Sequence, residues 1–301
     1  MSATRVGIIG AGPMGGLHAR TVARRARSDA DCVLVALVDH HPGRADALAF
    51  EFGGRVLDEL EELDGEVDAA IVCVPTSAHL AVAAPLLELG LDLLVEKPLA
   101  ADVEGGRRLV GLAREKDRIL QVGHIEWYNP AWRRAVADSA PPDSIEVERM
   151  QPRSPRGLEL DVVQDLMIHD LDWVTRWLAG QGDEIVDLDA TGRCVVNDKL
   201  DEAEARLRFR SGRVVVLRAS RVHAERRRCV RIESDRGVTT TDLLPLEAAA
   251  PDALDVQWAH FLECVRSRKR PEADAAIGVD ALRLVDRVRA AIGPDPGKPV
   301  A

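Results

Sequence analysis

Three glycines near the start of the chain have the spacing of a dinucleotide-binding turn. They stand in Gly10-x-Gly12-x-x-Gly15, directly after an apolar run and before a helix-compatible segment. In such a turn Gly10 allows a tight bend, Gly12 lets backbone N–H groups approach a pyrophosphate, and Gly15 lets the helix pack closely on the strand. The helix N-terminus adds N–H donors and a positive dipole end. An ordinary glycine-rich turn is the alternative, but the position after a strand favours a nucleotide site.

Asp39 is the candidate ligand of the adenosine ribose. It follows the next predicted strand, residues 33–38, and an acidic residue about 20 residues beyond the glycines binds the ribose 2′-OH in NAD sites. Because a carboxylate repels a 2′-phosphate, we expect NAD rather than NADP, although the nearby Arg44 leaves NADP open. Asp39 could instead only initiate the helix that begins near Pro42.

Lys97 stands where a catalytic cation would be expected. It lies in Glu96-Lys97-Pro98, after the predicted strand at residues 91–95, and open α/β sheets bind ligands beyond the carboxyl ends of their strands. Its ammonium can polarise a substrate hydroxyl, while Pro98 restricts Lys97 to an extended conformation. Taken alone, the tripeptide is also compatible with a surface lysine.

The preceding strand end supplies further cofactor-lining candidates. The predicted strand at residues 67–74 is followed by Pro75, Thr76 and His79, which we expect to line the cofactor for the same topological reason. A structural role for His79 stays open, and Ser77 could equally be the N-cap of the next helix.

A helix predicted at residues 162–179 carries four polar side chains on one stripe. At 100° per residue, Asp165, His169, Asp172 and Arg176 share one side and apolar residues the other. On periodicity alone this is compatible with a plain amphipathic helix whose charged face is solvated. One turn apart, the Asp165 carboxylate could also orient the His169 imidazole and raise its basicity.

Three arginines precede that helix. Arg149, Arg153 and Arg156 lie in what we expect to be a proline-containing loop. Arginine binds phosphate oxygens in a bidentate manner, so the cluster could grip an anionic substrate. It could equally be solvated.

The pattern of elements predicts an α/β protein. In the first half, strands at residues 6–9, 33–38, 67–74, 91–95 and 119–122 alternate with helices at 17–27, 42–52, 78–89 and 102–116, as in a doubly wound parallel sheet. The second half has segments of hairpin-like spacing at 145–150, 184–195, 202–209, 214–221, 229–234 and 238–242, which predict an antiparallel sheet. Helices at 253–268 and 279–292 close the chain.

Composition excludes several classes of function. The net charge of −10 argues against a nucleic-acid surface. The sequence has no basic-then-apolar signal peptide and no run of about 18 apolar residues, so we expect a cytoplasmic protein without a membrane partner. The five scattered cysteines fit reduced thiols better than disulfides or zinc ligands, and we expect no metal.

Taken together, the motifs resemble the glucose–fructose oxidoreductase/inositol dehydrogenase/MocA (Gfo/Idh/MocA) family. The resemblance rests on the glycine turn, Pro75-Thr76, Glu96-Lys97-Pro98 and Asp165-x-x-x-His169-x-x-Asp172, and it covers essentially the whole chain. It implies a Rossmann domain at residues 1–124, followed at 125–301 by a substrate and oligomerisation domain with a mostly antiparallel open sheet. It also implies NAD(P)-dependent oxidation or reduction of sugars or cyclitols, in a homodimer or homotetramer formed through that sheet.

The resemblance also assigns roles to residues. Asp165 and His169 match the substrate-facing pair, with Lys97 as their catalytic partner and Asp172 in a packing role. The cofactor-binding set is Gly10, Gly12, Pro13, Met14, Gly15, Asp39, Arg44, Pro75, Thr76, His79, Glu96 and Lys97. The substrate-binding set is Lys97, Tyr128, Asn129, Arg153, Arg156, Asp165 and His169.

Within the family, the segments around Asn129 and His169 are similar to nucleotide-sugar members, notably UDP-N-acetylglucosamine 3-dehydrogenases. One departure is Trp127-Tyr128, where an Arg-Phe pair is expected, which leaves any contact from that arginine open. The alternatives are a free-sugar or inositol dehydrogenase, and an NAD-binding regulatory protein that lost turnover. The intact Lys97, Asp165 and His169 argue against the last.

Overall fold

The computed structural model describes residues 2–137, 141–154, 159–196, 198–244 and 252–293. The chain divides into two compact units. Unit 1 comprises Met1–His124 and Leu254–Val279, and unit 2 comprises the remainder of the chain. The sequence predicts one domain boundary, between residues 124 and 125. In the structure, residues 254–279 also belong to the first unit.

Unit 1 alternates strands and helices. Its elements are β1 Thr4–Ile9, α1 Pro13–Ser28, β2 Cys32–Val38, α2 Pro42–Phe52, β3 Arg55–Leu57, β4 Ala69–Val72, α3 His79–Glu88, β5 Asp92–Val95, α4 Val103–Glu115 and β6 Leu120–Val122, with 3₁₀ turns at Leu60–Leu63 and Thr76–Ala78. Two later helices complete the chain: α7 Ala253–Ser267 and α8 Ala275–Ile292. Unit 1 contains α7 from Leu254 onward and the start of α8 up to Val279.

The predicted parallel sheet is confirmed. The strands have the order β3-β2-β1-β4-β5-β6, and every neighbouring pair is parallel. All residues of β4 and β5 are buried, as expected for strands covered on both faces. This is the doubly wound Rossmann order, in which the strand order reverses at β1 and ligands bind beyond the carboxyl ends.

The connection from β1 to α1 depends on two glycines. Gly10 has φ +96°, and a Cβ there would lie 2.7 Å from the carbonyl carbon of Cys73. A Cβ on Gly15 would lie 2.0 Å from the Gly10 carbonyl oxygen. The first turn of α1 therefore touches the backbone that leaves β1, and no larger residue fits at either position.

Unit 2 is built on a second six-stranded sheet. Its elements are a 3₁₀ turn at Ile125–Tyr128, α5 Pro130–Ala137, β7 Ser144–Met150, a π-helical turn at Val163–Met167, α6 Ile168–Ala179, β8 Ile185–Arg193, β9 Glu202–Phe209, β10 Val214–Ser220, β11 Arg227–Ser234 and β12 Gly237–Asp242. The strand order is β12-β11-β7-β10-β9-β8, and β7 with β10 is the parallel pair in an otherwise antiparallel sheet. The mostly antiparallel sheet predicted for the second half is confirmed.

One face of this sheet packs in a hydrophobic core and the other carries charges. Along β7 and β9 buried residues alternate with more exposed ones, so inward residues such as Val147 and Leu207 pack with Leu171 of α6. On the opposite face Arg218 bridges Glu204 and Glu146, at 2.8 and 3.1 Å. The sheet therefore has one covered face and one charged face.

The prediction of one regular helix over residues 162–179 is wrong at its start. Val163–Met167 forms a π-helical turn, and α6 begins only at Ile168. Asp161 caps this start, because its Oδ1 accepts the N–H groups of Val163 and Gln164 at 3.0 Å each. The wider i→i+5 turn changes the angular spacing between Asp165 and His169, which a period of 3.6 residues cannot anticipate.

Two short elements, β3 and α5, have no counterpart among the predicted elements. The three-residue β3 is too short to produce a periodic signal, and α5 follows directly on the 3₁₀ turn that contains Trp127. Among the described helices, none combines the length and the apolar character that a membrane crossing requires.

Arg149 lies in a strand rather than in the loop predicted for the three arginines, and its burial contradicts both alternatives for it, a solvated arginine and one that grips substrate. It belongs to β7 and is buried, where Nε and Nη2 donate to the two carboxylate oxygens of Asp170 at 2.7 and 2.6 Å. Its Nη1 donates to Glu126 at 3.2 Å, and Arg228 donates to the same Glu126 oxygen at 2.7 Å. A buried guanidinium with this many carboxylate partners is occupied within the protein.

This cluster of Glu126, Arg149, Asp170 and Arg228 sets the charge state of its members. Burial by itself would raise the pKa of Glu126, but the charges of Arg149 and Arg228 outweigh it and the pKa lies below its ordinary value. Burial likewise opposes the charged form of Arg149, yet the Asp170 and Glu126 carboxylates raise its pKa. Glu126 and Arg149 are therefore both charged, and each charge depends on the other.

Gly15→Ala should destabilise the protein by about 2 kcal/mol or more, since the new Cβ overlaps the Gly10 carbonyl oxygen and forces α1 away from β1. The matched control is Gly16→Ala. Its Cβ would meet only the Leu48 side chain at 3.6 Å, so the better helix propensity of alanine should leave stability equal or higher. Denaturant unfolding of both variants checks this, and equal losses would contradict the close approach.

Arg149→Met should lower the free energy of unfolding by about 3–5 kcal/mol, because the buried Asp170 loses its arginine partner and Glu126 loses one of its two. Arg210→Met removes an exposed ion pair with Glu184 and should have little effect.

The pH dependence of stability follows from the lowered pKa of Glu126. That carboxylate stabilises the fold above its unfolded pKa of about 4.3, and the stabilisation is lost as pH falls through the lower folded value. In Arg149→Met the pKa of Glu126 loses its main lowering influence, so the deficit in unfolding free energy relative to the wild type should be largest near pH 7 and shrink as pH falls and Glu126 is protonated.

Candidate active site

The glycine turn leaves space where a pyrophosphate would approach. A Cβ built on Gly12 meets no heavy atom within 4 Å, in contrast to the crowded Gly10 and Gly15. Gly12 is also the N-cap of α1, Pro13 occupies the first helical position, and no side chain caps this end. The N–H groups of the first turn, including that of Met14, are thus available to an anion. The turn fits a dinucleotide.

Asp39 connects β2 to the glycine turn. Its Oδ2 accepts the Ala11 N–H at 2.6 Å and its Oδ1 accepts the His41 N–H at 2.7 Å. The carboxylate is 3% exposed, while Arg44 in the first turn of α2 is exposed. Each carboxylate oxygen has a second lone pair, so a ribose contact stays a prediction. The observed contacts put a negative charge beside the turn.

His79 joins the ends of β4 and β5. The ring is buried, with Nδ1 2.8 Å from the Pro98 carbonyl oxygen and Nε2 3.0 Å from that of Val74. Burial lowers the pKa of His79, and hydrogen bonds to the two carbonyl groups offset this only in part. Each ring nitrogen faces a backbone carbonyl oxygen, and the neutral ring donates its single N–H to one of the two. These contacts support the structural role for this histidine. Pro75 and the buried Thr76 belong to the same turn.

Glu96 is turned inward beneath Lys97. Its Oε1 lies 2.9 Å from Nε2 of His18, and its Oε2 accepts the Lys97 N–H at 3.2 Å. Burial would raise the pKa of Glu96, but the hydrogen bond from His18 and the charge of Lys97 lower it overall. The carboxylate is therefore ionised next to the half-buried Lys97. Lys97-Pro98 is a cis peptide.

Two residues of this site, His18 and Trp258, are absent from the set predicted from the sequence. His18 lies on α1 three residues after Gly15, on the face that packs against the sheet, and this spacing was the available signal. Trp258 of α7 donates its indole N–H to Nδ1 of His18 at 2.9 Å. No sequence signal indicates that partner, because 240 residues separate the pair.

In unit 2, the polar stripe of α6 is not a solvated face. Asp172 is buried, and Asp165 and His169 are half-buried. Arg176 pairs with Asp172 at 2.9 Å and lies over the Trp127 ring, with Cζ 3.6 Å from the centroid. The plain amphipathic interpretation therefore fails, and the packing role that the resemblance implies for Asp172 stays a prediction.

Other predicted substrate ligands differ in their availability. Asn129 donates to Glu126 Oε2 at 3.0 Å and to the Leu243 carbonyl oxygen at 3.1 Å, and it accepts the Ala131 N–H. Tyr128 is buried, whereas Arg153 is exposed. Arg156 lies outside the described residues. Substrate contacts by these residues stay predictions, and the amide of Asn129 already has three partners within unit 2.

The described residues contain no group of three or more His, Cys, Asp or Glu side chains that could hold a metal ion. All five cysteines are free thiols. The titratable groups that converge at the strand ends are instead carboxylate, imidazole and ammonium groups, which suit proton transfer and polarisation.

Known proteins resemble this chain in sequence and in fold. Residues 4–124 match the GFO_IDH_MocA family, described as an oxidoreductase family with an NAD-binding Rossmann fold. UDP-N-acetylglucosamine 3-dehydrogenase from Acidithiobacillus ferrooxidans is 34% identical over 96% of this chain and 97% of its own. Its solved structure superposes with a TM-score of 0.86, covering 97% and 98% of the two chains.

A cyclitol dehydrogenase is also similar. The scyllo-inositol 2-dehydrogenase (NAD(+)) from Bacillus subtilis is 28% identical over 92% of this chain and 91% of its own. The glycine turn, the strand-end lysine and the full-length similarity lead to one assignment. The chain belongs to the Gfo/Idh/MocA family of oxidoreductases, with the NAD-binding Rossmann fold of that family.

Proposed function

We propose that the protein is an NAD-dependent dehydrogenase that oxidises a secondary hydroxyl of a nucleotide sugar. The leading candidate is the 3-hydroxyl of UDP-N-acetylglucosamine. The observation that carries the proposal is the 34% identity to a UDP-N-acetylglucosamine 3-dehydrogenase over nearly the whole of both chains. The free thiols of all five cysteines support a cytoplasmic location, where disulfides are rare.

The glycine turn, the N-terminus of α1 and Asp39 would hold the cofactor. Bound NAD supplies the acceptor for the hydride that leaves the carbinol carbon. His169 is proposed as the base that takes the hydroxyl proton, because imidazole is the side chain best suited to proton transfer near neutral pH. Lys97 would donate a hydrogen bond to the same oxygen, and Asp165 would orient His169.

The substrate diphosphate needs a cation, since an uncompensated charge is costly to bury. The protein carries a net charge of −10, so the cation must come from a local group. Arg149 is excluded by its buried ion pairs, which leaves the exposed Arg153 as the best described candidate, with Arg156 beside it in sequence.

A second candidate is an inositol or free-sugar dehydrogenase. The similarity to the scyllo-inositol enzyme over 92% of this chain supports it. Such substrates lack a diphosphate, so they would need neither Arg153 nor Arg156. Their turnover relative to the nucleotide sugar separates the two proposals.

We also propose that a second copy of the chain covers the charged face of the unit 2 sheet, in a dimer or tetramer. That face carries the row Glu204, Arg218, Glu146 and Arg231, whose side chains are about one-third to one-half exposed. Alternating charges across four strands suit self-complementary pairing about a two-fold axis. Sedimentation would give the size of the oligomer.

His169→Ala and Lys97→Ala should each lower turnover by on the order of 10²-fold or more, since each removes a group proposed to handle the hydroxyl proton. Binding of NAD should change little. The controls are His223→Ala and Lys269→Ala, which alter exposed residues of the same types. Formation of NADH, followed by absorbance, checks turnover. Wild-type rates in either active-site variant would contradict the roles.

Arg153→Ala should raise KM for UDP-N-acetylglucosamine by about 10-fold or more while the affinity for NAD is retained. The size of the effect follows from roughly 1.5–3 kcal/mol for a charge-assisted hydrogen bond. Arg210→Ala, which removes an exposed arginine of unit 2 that pairs with Glu184, is the matched control. Equal turnover of free inositol and UDP-N-acetylglucosamine, with no effect of Arg153→Ala, would favour the second candidate instead.

A further inference from the structure

Three buried side chains of unit 1 form a hydrogen-bonded chain that ends beside Lys97. The indole N–H of Trp258 donates to Nδ1 of His18 at 2.9 Å, and Nε2 of His18 lies 2.9 Å from Glu96 Oε1. Trp258 and His18 are 0% exposed, and Glu96 is 8% exposed. An indole N–H can only donate, so Nδ1 is the acceptor. The ring proton therefore lies on Nε2 and is donated to the carboxylate.

The Glu96 carboxylate is held from three sides. His18 of α1 binds Oε1, and the Lys97 backbone N–H binds Oε2 at 3.2 Å. The third side is Gly123, after β6, where a Cβ would come within 2.9 Å of Oε2. Because glycine has no side chain, the Glu96 carboxylate can occupy this position without a steric clash. The side chain that precedes Lys97 thus has one orientation, which fixes the backbone from which Lys97 projects.

The other titratable groups near Glu96 do not replace His18. Cys73 follows β4. Burial, together with the nearby charge of Glu96, raises the pKa of its thiol well above the ordinary value, so the thiol is uncharged. His79 also senses that charge, and burial lowers its pKa. Of the groups that face Glu96, His18 supplies the side-chain hydrogen bond and Lys97 the positive charge.

We propose that His18 and Trp258 are positioning residues, which keep the Glu96 carboxylate ionised and fixed against the Lys97 backbone. The hydrogen bond that Lys97 is proposed to donate to a substrate oxygen depends on where its backbone is held. This rests on the proposed function of Lys97. The hydrogen-bonded chain also connects Trp258 of α7 to the segment after β5 that carries Lys97.

The consequence for stability has a definite sign. With His18 present, the pKa of Glu96 lies below its ordinary value, so its ionised form stabilises the fold above the unfolded pKa of about 4.3. In His18→Leu the buried carboxylate loses its side-chain donor and keeps the Lys97 N–H. The cost of burial then dominates and the pKa rises. The ionised group then destabilises the fold at pH 7, and protonation relieves that cost as pH falls toward 5.

The experiment compares His18→Leu, His18→Gln and Phe261→Leu with the wild type. His18→Gln retains an N–H donor for Glu96. Phe261→Leu loosens the packing on Trp258, whose ring lies 6.0 Å away, without removing a hydrogen bond. We expect the deficit in unfolding free energy of His18→Leu to be largest at pH 7 and to shrink toward pH 5. We expect kcat at pH 7 to fall roughly tenfold through misplacement of Lys97, with the Kd for NAD retained and His18→Gln restoring part of the loss.

Nitrogen-15 NMR of the histidine rings tests the chain without turnover. The wild type should show His18 as the Nε2–H tautomer alone, and Trp258→Phe should give a mixture of tautomers. A deficit that is independent of pH, a mixed tautomer in the wild type, or a wild-type kcat in His18→Leu would each overturn the proposal. If the wild type turns over no sugar, the proposed function fails, and the tautomer and stability measurements still decide whether the network holds Glu96 ionised.

Discussion

The contact between the first turn of α1 and the backbone leaving β1 is the constraint on which unit 1 depends. A Cβ on Gly15 would lie 2.0 Å from the Gly10 carbonyl oxygen, so helix and strand can meet at this distance only without a side chain. The same approach leaves Gly12 open and the N–H groups of α1 directed at that opening. It also places His18, one turn further along α1, within hydrogen-bonding distance of Glu96. The close approach of α1 to β1 therefore shapes both the glycine turn and the contact between His18 and Glu96 beside Lys97.

Both units use buried ionic groups, and in each the charges are held by specific partners. In unit 1 Glu96 is paired with His18 and with the backbone and charge of Lys97. In unit 2 Arg149 joins Asp170 to Glu126. Removing water from a charge costs several kcal/mol unless a partner offsets it. A buried charge is stabilised only while its partners stay within hydrogen-bonding distance. Such contacts therefore hold the backbone segments that carry these side chains in one arrangement.

The family shows the class of reaction, and the structure narrows which residues could bind the substrate. Membership in the Gfo/Idh/MocA family establishes an NAD-binding oxidoreductase. The nucleotide sugar is a proposal that depends on overall identity and on a cation for the diphosphate. The burial of Arg149 narrows that search, because it removes one of the three arginines that a linear sequence places together. The resemblance to inositol dehydrogenases keeps a smaller, uncharged substrate as the competing proposal.

The sequence by itself determined the class of fold, the parallel and antiparallel sheets, the glycine turn and the strand-end position of Lys97. These depend on local signals: apolar runs, period-two alternation, and glycines at fixed spacing. It did not determine the π-helical turn before α6, since an altered turn leaves the hydrophobic pattern of the following helix intact. Nor did it determine which charges are buried. Arg149 and Arg153 look alike in a linear sequence, yet one is enclosed by carboxylates and the other is exposed. The Trp258–His18–Glu96 chain was decided only by tertiary structure, because a hydrogen bond between residues 240 positions apart exists only once α7 packs beside α1.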